Sequence, residues 1–412
     1  VPTVSRIRHA ARAIRLKFRL MSAFGALWPA AWRGGKLLAR GRFREFGQKL
    51  LNESADAVRA EAATGRPGPL LFLAGPIQRL GGYDHVVLGV LRGLTEAGVN
   101  VHRDFWGLFR NDLIPEPIRP AESARRPDQP RLIVAPPHLL DRFRPDRRSA
   151  AYTMWETDTL PAGAVKALNH CGLVIVPSRW GADCFRANGV SVPVEVVPLG
   201  YDPAVFGPAG RDRGNRCVLG TAGALDEGGL RKNVQRVIDL FRRAFPTESD
   251  VRLRVKITPS SPPVETDGDT RIEVIASSLS AAELADWYRS LTAFVNASAG
   301  EGFGLHLLEA MACGRPLISA TFGGVSAFFD SAVGYEIGYR LVEARNAIYG
   351  GRWSDPDADE LVAGMREVYA KPDEARRLGE HAARRAARFT WDDTTRKLVI
   401  ILIRHGFIRP GP

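Results

Sequence analysis

"AFVNASAGEGFGLHLLEAMACGRPLISA", residues 293–320, reads as four pieces in a row. Residues 293–298 are a short run of strand formers. "AGEGFG" (299–304) is a turn built on Gly300, Gly302 and Gly304. From Leu305 a helical pattern of Leu, Ala and Met runs until Gly314 and Pro316 stop it, and "PLISA" (316–320) is a second apolar run. Strand, glycine turn, helix and strand in that order make one unit of a parallel, doubly wound sheet. Only His306 and Glu309 are polar inside the helix. A carboxylate in an apolar helix costs several kcal/mol unless something pairs with it. Glu309, and Glu301 eight residues before it, therefore call for partners.

The same alternation continues on both sides. Upstream, "LLFLAG" (70–75), "RLIVAPP" (131–137), "SAAYTMWE" (149–156), "GLVIVPS" (172–178) and "PVEVVPLG" (193–200) read as strands. "GYDHVVLGVLRGLTEAG" (82–98) reads as a helix closed by Gly98, and Ser178 can cap the helix "RWGADCFRANG". "YDPAVFGP" (201–208), with two prolines and a glycine, looks like a linker. A second set follows: strand "RCVLGTAGA" (216–224), helix "NVQRVIDLFRRAF" (233–245), strands "VRLRVKI" (251–257) and "RIEVIAS" (271–277). Ser280 and Glu283 form a capping box that opens "AAELADWYRSL". The fold class is α/β: two Rossmann-like, doubly wound domains facing a cleft, since ligands of such sheets bind at the carboxyl ends of the strands. The expected division is a basic extension over 1–66, a first domain over 67–205, a second over 206–388 and a C-terminal helix over 389–412 that crosses back to the first domain.

Composition narrows the function classes. The chain has 412 residues, 45% hydrophobic and 25% charged, enough for two or three domains with real cores. Its net charge of +12 would suggest nucleic acid if it were spread evenly. It is not: Arg6, Arg8, Arg12, Arg15, Lys17, Arg19 and others crowd residues 1–50 against Glu45 alone, and the rest is close to neutral. Arg and Lys interleave there with Ile, Leu and Phe, which on a helix gives a basic, partly amphipathic face. We read residues 1–50 first as a contact for an anionic membrane surface. A solvated or partner-binding arm comes next, and nucleic acid last. Cys171, Cys184, Cys217 and Cys313 lie far apart, which fits a reducing compartment and offers no metal spacing. No apolar run reaches the roughly 18 to 20 residues of a membrane span. "MSAFGALWPAAW" (21–32) is too short to span and has no obvious cleavage site close behind it. The expected location is cytoplasmic, with peripheral attachment to the inner face of the membrane through the arm.

The glycine turn and helix supply a site. The N–H groups of Phe303, Gly304 and Leu305, with Gly302 beside them, would point at the carboxyl edge of the strand as an anion site. The glycines would let a ligand approach the backbone. Glu301 can reach sugar hydroxyls, and a ribose diol can satisfy Glu309. The plainer reading is that Glu301 helps cap the helix and Glu309 pairs with a buried arginine, which leaves the glycines unexplained. "GTAGALDEGGLRKN" (220–233) puts Arg231 and Lys232 at the rim of the same cleft, where two cations could neutralise a diphosphate.

Together these residues resemble the retaining, family-4-type glycosyltransferases of the GT-B fold, in their "WE" subset. The E-x7-E spacing of Glu301 and Glu309 carries the resemblance, with "EGFGLHLLEAMACGRPLISATFGG", "RKN", "VPSRW", "VPLGYDPAVF", "GRWSDPDADEL" and "FTWDD" around it. It runs from about residue 69 to 400. It implies transfer of a hexose from a nucleotide-diphosphate sugar to a glycan, lipid-linked or other hydroxyl acceptor, with retained configuration and no metal or other cofactor. Glu309 would then bind the donor ribose and Glu301 the hexose. Phe303, Gly304, Leu305 and Lys232 would hold the diphosphate, and Gly81 and Gly82 would approach the donor phosphate and the acceptor. The sequence departs from the family at three places. The arginine before "RKN" is absent, so Arg231 would substitute. The first-domain histidine is replaced by Trp155 and Glu156, and Glu156 would take part of its polar role. The acid after Gly323 and Gly324 is missing. Two rival readings remain, a catalytically silent nucleotide-sugar binder and another GT-B enzyme such as a sugar-nucleotide epimerase. "DGD" (267–269) resembles a metal-binding triplet but lies in a polar loop and is read as chance. His138 is read as a packed or solvated histidine.

Overall fold

The computed structural model describes residues 68–76, 82–104, 114, 116, 119–122, 125–208, 217–225, 231–344 and 348–409. The basic arm and Gly81 lie outside the described residues. Among the described residues, 102–104, 120–122 and 125–126 fall in one unit and the rest in another. In the first, His102 and Arg103 pair in parallel with Ala121 and Glu122. The second holds the second expected sheet and the first without the pair His102–Arg103 and Ala121–Glu122.

The strands of the first sheet are β1 (Leu70–Ala74), β2 (Asn100–Arg103), β3 (Ala121–Glu122), β4 (Arg131–Val134), β5 (Ser149–Tyr152), β6 (Leu173–Val176) and β7 (Val194–Val196). In the larger unit they run β2-β1-β4-β5-β6-β7. Every residue of β4, β5 and β6 is buried, which is why these strands read as continuous apolar runs rather than alternating ones. Helices α1 (Gly82–Glu96), α2 (Ala162–His170) and α3 (Arg179–Ala187) cover the sheet. On α1, Val86, Val87, Val90, Leu91 and Leu94 fall at helical spacing and are all buried, each worth about 1.5–3 kcal/mol relative to exposure. Ser178 caps α3, its hydroxyl accepting from Gly181 N at 3.0 Å.

The second sheet comprises β8 (Val218–Gly223), β9 (Arg252–Ile257), β10 (Ile272–Ile275), β11 (Ala293–Asn296), β12 (Leu317–Ala320) and β13 (Gly334–Ile337), in the order β10-β9-β8-β11-β12-β13, all parallel. Its helices are α4 (Val234–Ala244), α5 (Ala281–Arg289), α6 (Leu305–Ala312), α7 (Ala358–Ala370) and α8 (Pro372–Ala386). The Ser280–Glu283 capping box on α5 is present. An antiparallel hairpin, β14 (Tyr339–Glu343) with β15 (Arg352–Pro356), follows β13. In each sheet the winding reverses beside the first strand, between β1 and β4 and between β8 and β11. Those are the switch points where such sheets bind ligands.

Three details differ from the reading of the sequence. The strand expected over 149–156 ends at Tyr152. The Tyr83 hydroxyl accepts from Met154 N and donates to Met154 O, both at 3.1 Å, which takes the chain out of the ladder. The expected linker over 201–208 is anchored: Tyr201 N donates to Phe389 O at 3.1 Å, and Trp391 N donates to Tyr201 O at 3.2 Å. Helix α9 (Trp391–Arg404) starts at that staple and packs on α1, where a Cβ on Gly93 would fall 1.8 Å from Thr395 Oγ1. β2, β3, the hairpin, β13, α2, α7 and α8 were not picked out as elements from the sequence.

Candidate active site

The carboxyl ends of β8 and β11 lead to the two stretches the sequence singled out. Asn233 joins them. It adopts a left-handed conformation (φ 50°), and its amide donates to Ala297 O at 2.9 Å. Ala299 N and the Ser298 hydroxyl both donate to Arg231 O, at 2.7 and 3.1 Å. The "RKN" turn is thereby stitched along the turn that carries Glu301. Asn233 was quoted in the sequence motif without a role; its left-handed tolerance is the signal that marks it.

Glu301 is 6% exposed and doubly held by Lys232, whose Nζ lies 2.7 and 3.0 Å from its two carboxylate oxygens. Arg231 Nη1 stands 3.7 Å from the same carboxylate and donates to Gly300 O at 3.0 Å. Burial would raise the Glu301 pKa, but the charges of Lys232, His306 and Arg231 outweigh it and hold the carboxyl at about 2. The His306 imidazole, 4.0 Å from Glu301 Oε1, is pushed down to about 3 by burial and by Lys232, so it is neutral at pH 7. Lys232 and Glu301, which the resemblance gave to different parts of a donor, thus satisfy one another here.

Glu309 has a different setting. Its carboxylate accepts from the Tyr288 hydroxyl at 3.4 Å, and no arginine pairs with it among the described residues. Burial raises its pKa to about 8, opposed only by that hydrogen bond. Tyr288 was not singled out from the sequence, because a tyrosine inside "AAELADWYRSL" reads as core.

Gly304 (φ +90°) begins α6 with no side-chain cap, and its carbonyl accepts from Leu307 N and Leu308 N. The Phe303 ring is buried against Phe328, with ring centres 5.1 Å apart. The other two glycines have a nearer purpose than the expected ligand approach. A Cβ on Gly300 would lie 2.1 Å from Glu156 O, and one on Gly302 would lie 2.6 Å from Met154 Cγ. The segment 154–156 after β5 therefore packs directly on the Glu301 turn. The Glu156 charge acts on both Lys232 and Tyr83. Gly82, at the start of α1, has open space where a side chain would be.

An aromatic bridge backs this arrangement. Trp155 donates to Thr157 Oγ1 and Thr159 O, both at 2.8 Å, and its ring centre lies 4.8 Å from that of Tyr349. The Arg231 guanidinium sits 5.8 Å from the Tyr349 ring centre. Asp158 pairs with Arg352 at 2.9 Å. His138 is exposed, 5.9 Å from Trp155 between ring centres. The "DGD" carboxylates are engaged by arginines, Asp267 by Arg242 at 2.9 Å and Asp269 by Arg271 at 2.7 Å.

Residues 216–349 match the family described as Glycosyl transferases group 1. The chain is 30% identical over 218 residues to D-inositol 3-phosphate glycosyltransferase of Arthrobacter sp. (strain FB24), covering 49% of this chain and 48% of that protein. It is 29% identical over 237 residues to MMP alpha-(1->4)-mannosyltransferase of Mycolicibacterium hassiacum, covering 56% and 53%. The chain spans about half the length of these two relatives. In structure it is similar to sucrose-phosphate synthase from Thermosynechococcus elongatus, with a TM-score of 0.63 at 16% identity over 82% of this chain and 99% of that one. HepE from Anabaena, solved with UDP and glucose, gives a TM-score of 0.61 at 14% identity over 81% and 99%. The architecture is GT-B: two parallel-sheet α/β domains. No helix among the described residues is long and apolar enough to cross a membrane.

Proposed function

We propose that the protein is a glycosyltransferase that moves a hexose from a nucleotide-diphosphate sugar to a hydroxyl acceptor with retained anomeric configuration. The observation that carries this is the convergence of Lys232, Arg231 and Glu301 at the β8/β11 switch point, inside the stretch that matches group 1 glycosyltransferases, with Glu309 on the helix that follows. Breaking the sugar–phosphate bond builds negative charge on the departing diphosphate. Lys232, Arg231 and the N-terminus of α6 supply positive potential for it. Glu309 receives the ribose diol and Glu301 the hexose hydroxyls. Glu156, packed at the edge of the same turn, stands on the acceptor side and acts on Lys232. The cationic groups serve in place of a metal. The relatives' names suggest acceptors such as an inositol phosphate or another sugar.

The test is a panel of UDP-, GDP-, ADP- and dTDP-hexoses, followed by release of nucleoside diphosphate with and without hydroxyl acceptors. We expect one donor to raise the melting temperature and to release nucleoside diphosphate only when an acceptor is present, with the product anomer matching the donor's by NMR. Tight binding with no acceptor-dependent release would leave a silent binder, and release that yields only an epimerised sugar would place the chain with the epimerases.

A further inference from the structure

His306 is the other polar residue of α6, and it makes no hydrogen bond through Nε2. It lies three residues before Glu309, so the two share a face of the helix. Its ring meets Phe294 edge-on, with ring centres 5.9 Å apart, which holds the imidazole between the apolar core and the Glu301 carboxylate. Its Nε2 atom is buried, makes no hydrogen bond, and lies 4.0 Å from Glu301 Oε1. A buried ring nitrogen without a partner is costly, and such atoms in native structures call for an explanation.

The ion pair next to it suggests one. Lys232 spends two of its three N–H donors on the two oxygens of Glu301. A diphosphate arriving at the α6 N-terminus competes for that ammonium, a compact charge on a flexible stem. Glu301 then loses a donor where water has little access, since the residue is 6% exposed. Arg231 Nη1 is nearer the carboxylate, 3.7 Å from Oε2, but it is engaged with Gly300 O at 3.0 Å. On the Oε1 side stands His306 Nε2, which makes no hydrogen bond, and closing its 4.0 Å to an N–H···O bond takes a shift of about 1 Å.

We propose that His306 is a positioning residue: its Nε2–H takes up Glu301 Oε1 when a donor diphosphate draws Lys232 away, and so holds Glu301 in place for the hexose. This rests on the reading of the site as a nucleotide-sugar site. It predicts a split that a purely structural residue would not show, because only the sugar half of the donor depends on Glu301.

The experiment compares wild type, His306→Phe and His306→Gln, using the sugar nucleotide that stabilises the wild type and the matching bare nucleoside diphosphate. The Phe variant keeps a ring against Phe294 and loses the N–H; the Gln variant returns an N–H of similar reach. Melting temperatures of the unliganded variants establish that both fold. We expect His306→Phe to lower kcat/KM by about 10- to 100-fold, the value of one hydrogen bond to a charged group. Affinity for the bare diphosphate should stay within about twofold, and His306→Gln should recover most of the loss. Wild-type kcat/KM in His306→Phe overturns the proposal, as does an equal loss of bare-diphosphate affinity. A wild-type chain that none of the sugar nucleotides stabilises, and that releases no nucleoside diphosphate, overturns both this proposal and the function it rests on.

Discussion

Glu301 and Glu309 sit eight residues apart, one on the turn before α6 and one inside it, and the protein treats them oppositely. Around Glu301 stand two cations, and its carboxyl is held ionised with a pKa of about 2. Around Glu309 stand apolar side chains and one tyrosine hydroxyl, and burial moves its pKa to about 8. Environment rather than residue type sets the charge, and pairs pushed apart in this way mark sites where acids take distinct roles. The turn around Glu301 is already satisfied from within. Glu309 has a single side-chain hydrogen bond among the described residues, the one from Tyr288.

The sharpest way to break this contrast is to remove the cation from the first region. Lys232→Ala should leave Glu301 buried with Arg231 alone at 3.7 Å. Breaking a buried ion pair from one side costs about 3–5 kcal/mol, and the remaining arginine places this case at the lower end. Turnover should fall by about 10²–10³, because a cation at the leaving group interacts most strongly in the transition state. The double variant Lys232→Met/Glu301→Gln should recover stability and not turnover. Urea melts and kcat on the three proteins separate the two effects. A stable Lys232→Ala with kcat unchanged would mean the pair neither holds the turn nor serves the diphosphate. The acid limb has a definite sign. The Glu301 carboxyl is lowered from 4.5, so its contribution is present above about pH 4.5 and lost as pH falls toward about 2.

The stretches that carry Glu301, Glu309 and Lys232 were legible in the sequence, their contrast in charge was not, and the limits are physical. A lone carboxylate among Leu, Ala and Met says that Glu309 needs a partner, because burial of charge is expensive whatever the fold. The parallel sheets were legible because strands buried on both faces, such as β4 to β6, read as unbroken apolar runs. What stayed hidden depends on contacts between distant segments. Nothing near Gly300 and Gly302 says that 154–156 will press on them, and nothing near Lys232 says that Glu301, 69 residues away, will take both its bonds. The end of β5 was misread because the hydroxyl of Tyr83, 71 residues from Met154, draws the chain off the sheet. The hairpin of β14 and β15 carries mixed polar and apolar residues, with Tyr339 and Leu341 exposed, and offers little periodicity.

A smaller effect sharpens the second region. Glu309→Gln removes the titration and keeps the shape. With the folded pKa raised from 4.5 to about 8, wild-type stability should decline as pH rises from about 4.5 to about 8 and stay reduced above that. The Gln variant should lack that decline and be more stable at pH 8, by about 1–3 kcal/mol once water reaching the cleft is allowed for. Above about pH 8, where Glu309 is ionised, the Gln variant's donor affinity should fall by a similar amount, about 1–3 kcal/mol, the value of charge-assisted hydrogen bonds to a ribose. Gain of stability with loss of binding is the signature of a functional carboxylate. A variant that loses stability at pH 8 and binds the donor normally would reassign Glu309 to the core.

The smallest expected effect concerns a second pair of carboxylates, Asp267 and Asp269, and it decides whether positive charge at the site comes from the chain alone. The triplet looks like a metal clamp in the sequence, yet each carboxylate faces an arginine, Arg242 at 2.9 Å and Arg271 at 2.7 Å. A metal ion bound there would have to displace guanidinium groups from both. The Asp267 side chain is 72% exposed, so that pair contributes about 0–1 kcal/mol. Asp269 is 16% exposed and also accepts from Arg271 N at 3.0 Å, so it matters more to its loop. If Lys232, Arg231 and the α6 N-terminus carry the diphosphate unaided, the donor-dependent rate should stay within about twofold in EDTA. Asp267→Asn alone should leave it unchanged, and Asp269→Asn should move stability and not rate. Complete loss in EDTA, restored by Mn²⁺ and abolished again in Asp267→Asn, would give the charge at the diphosphate to a metal and remove Lys232 from the centre of the comparison.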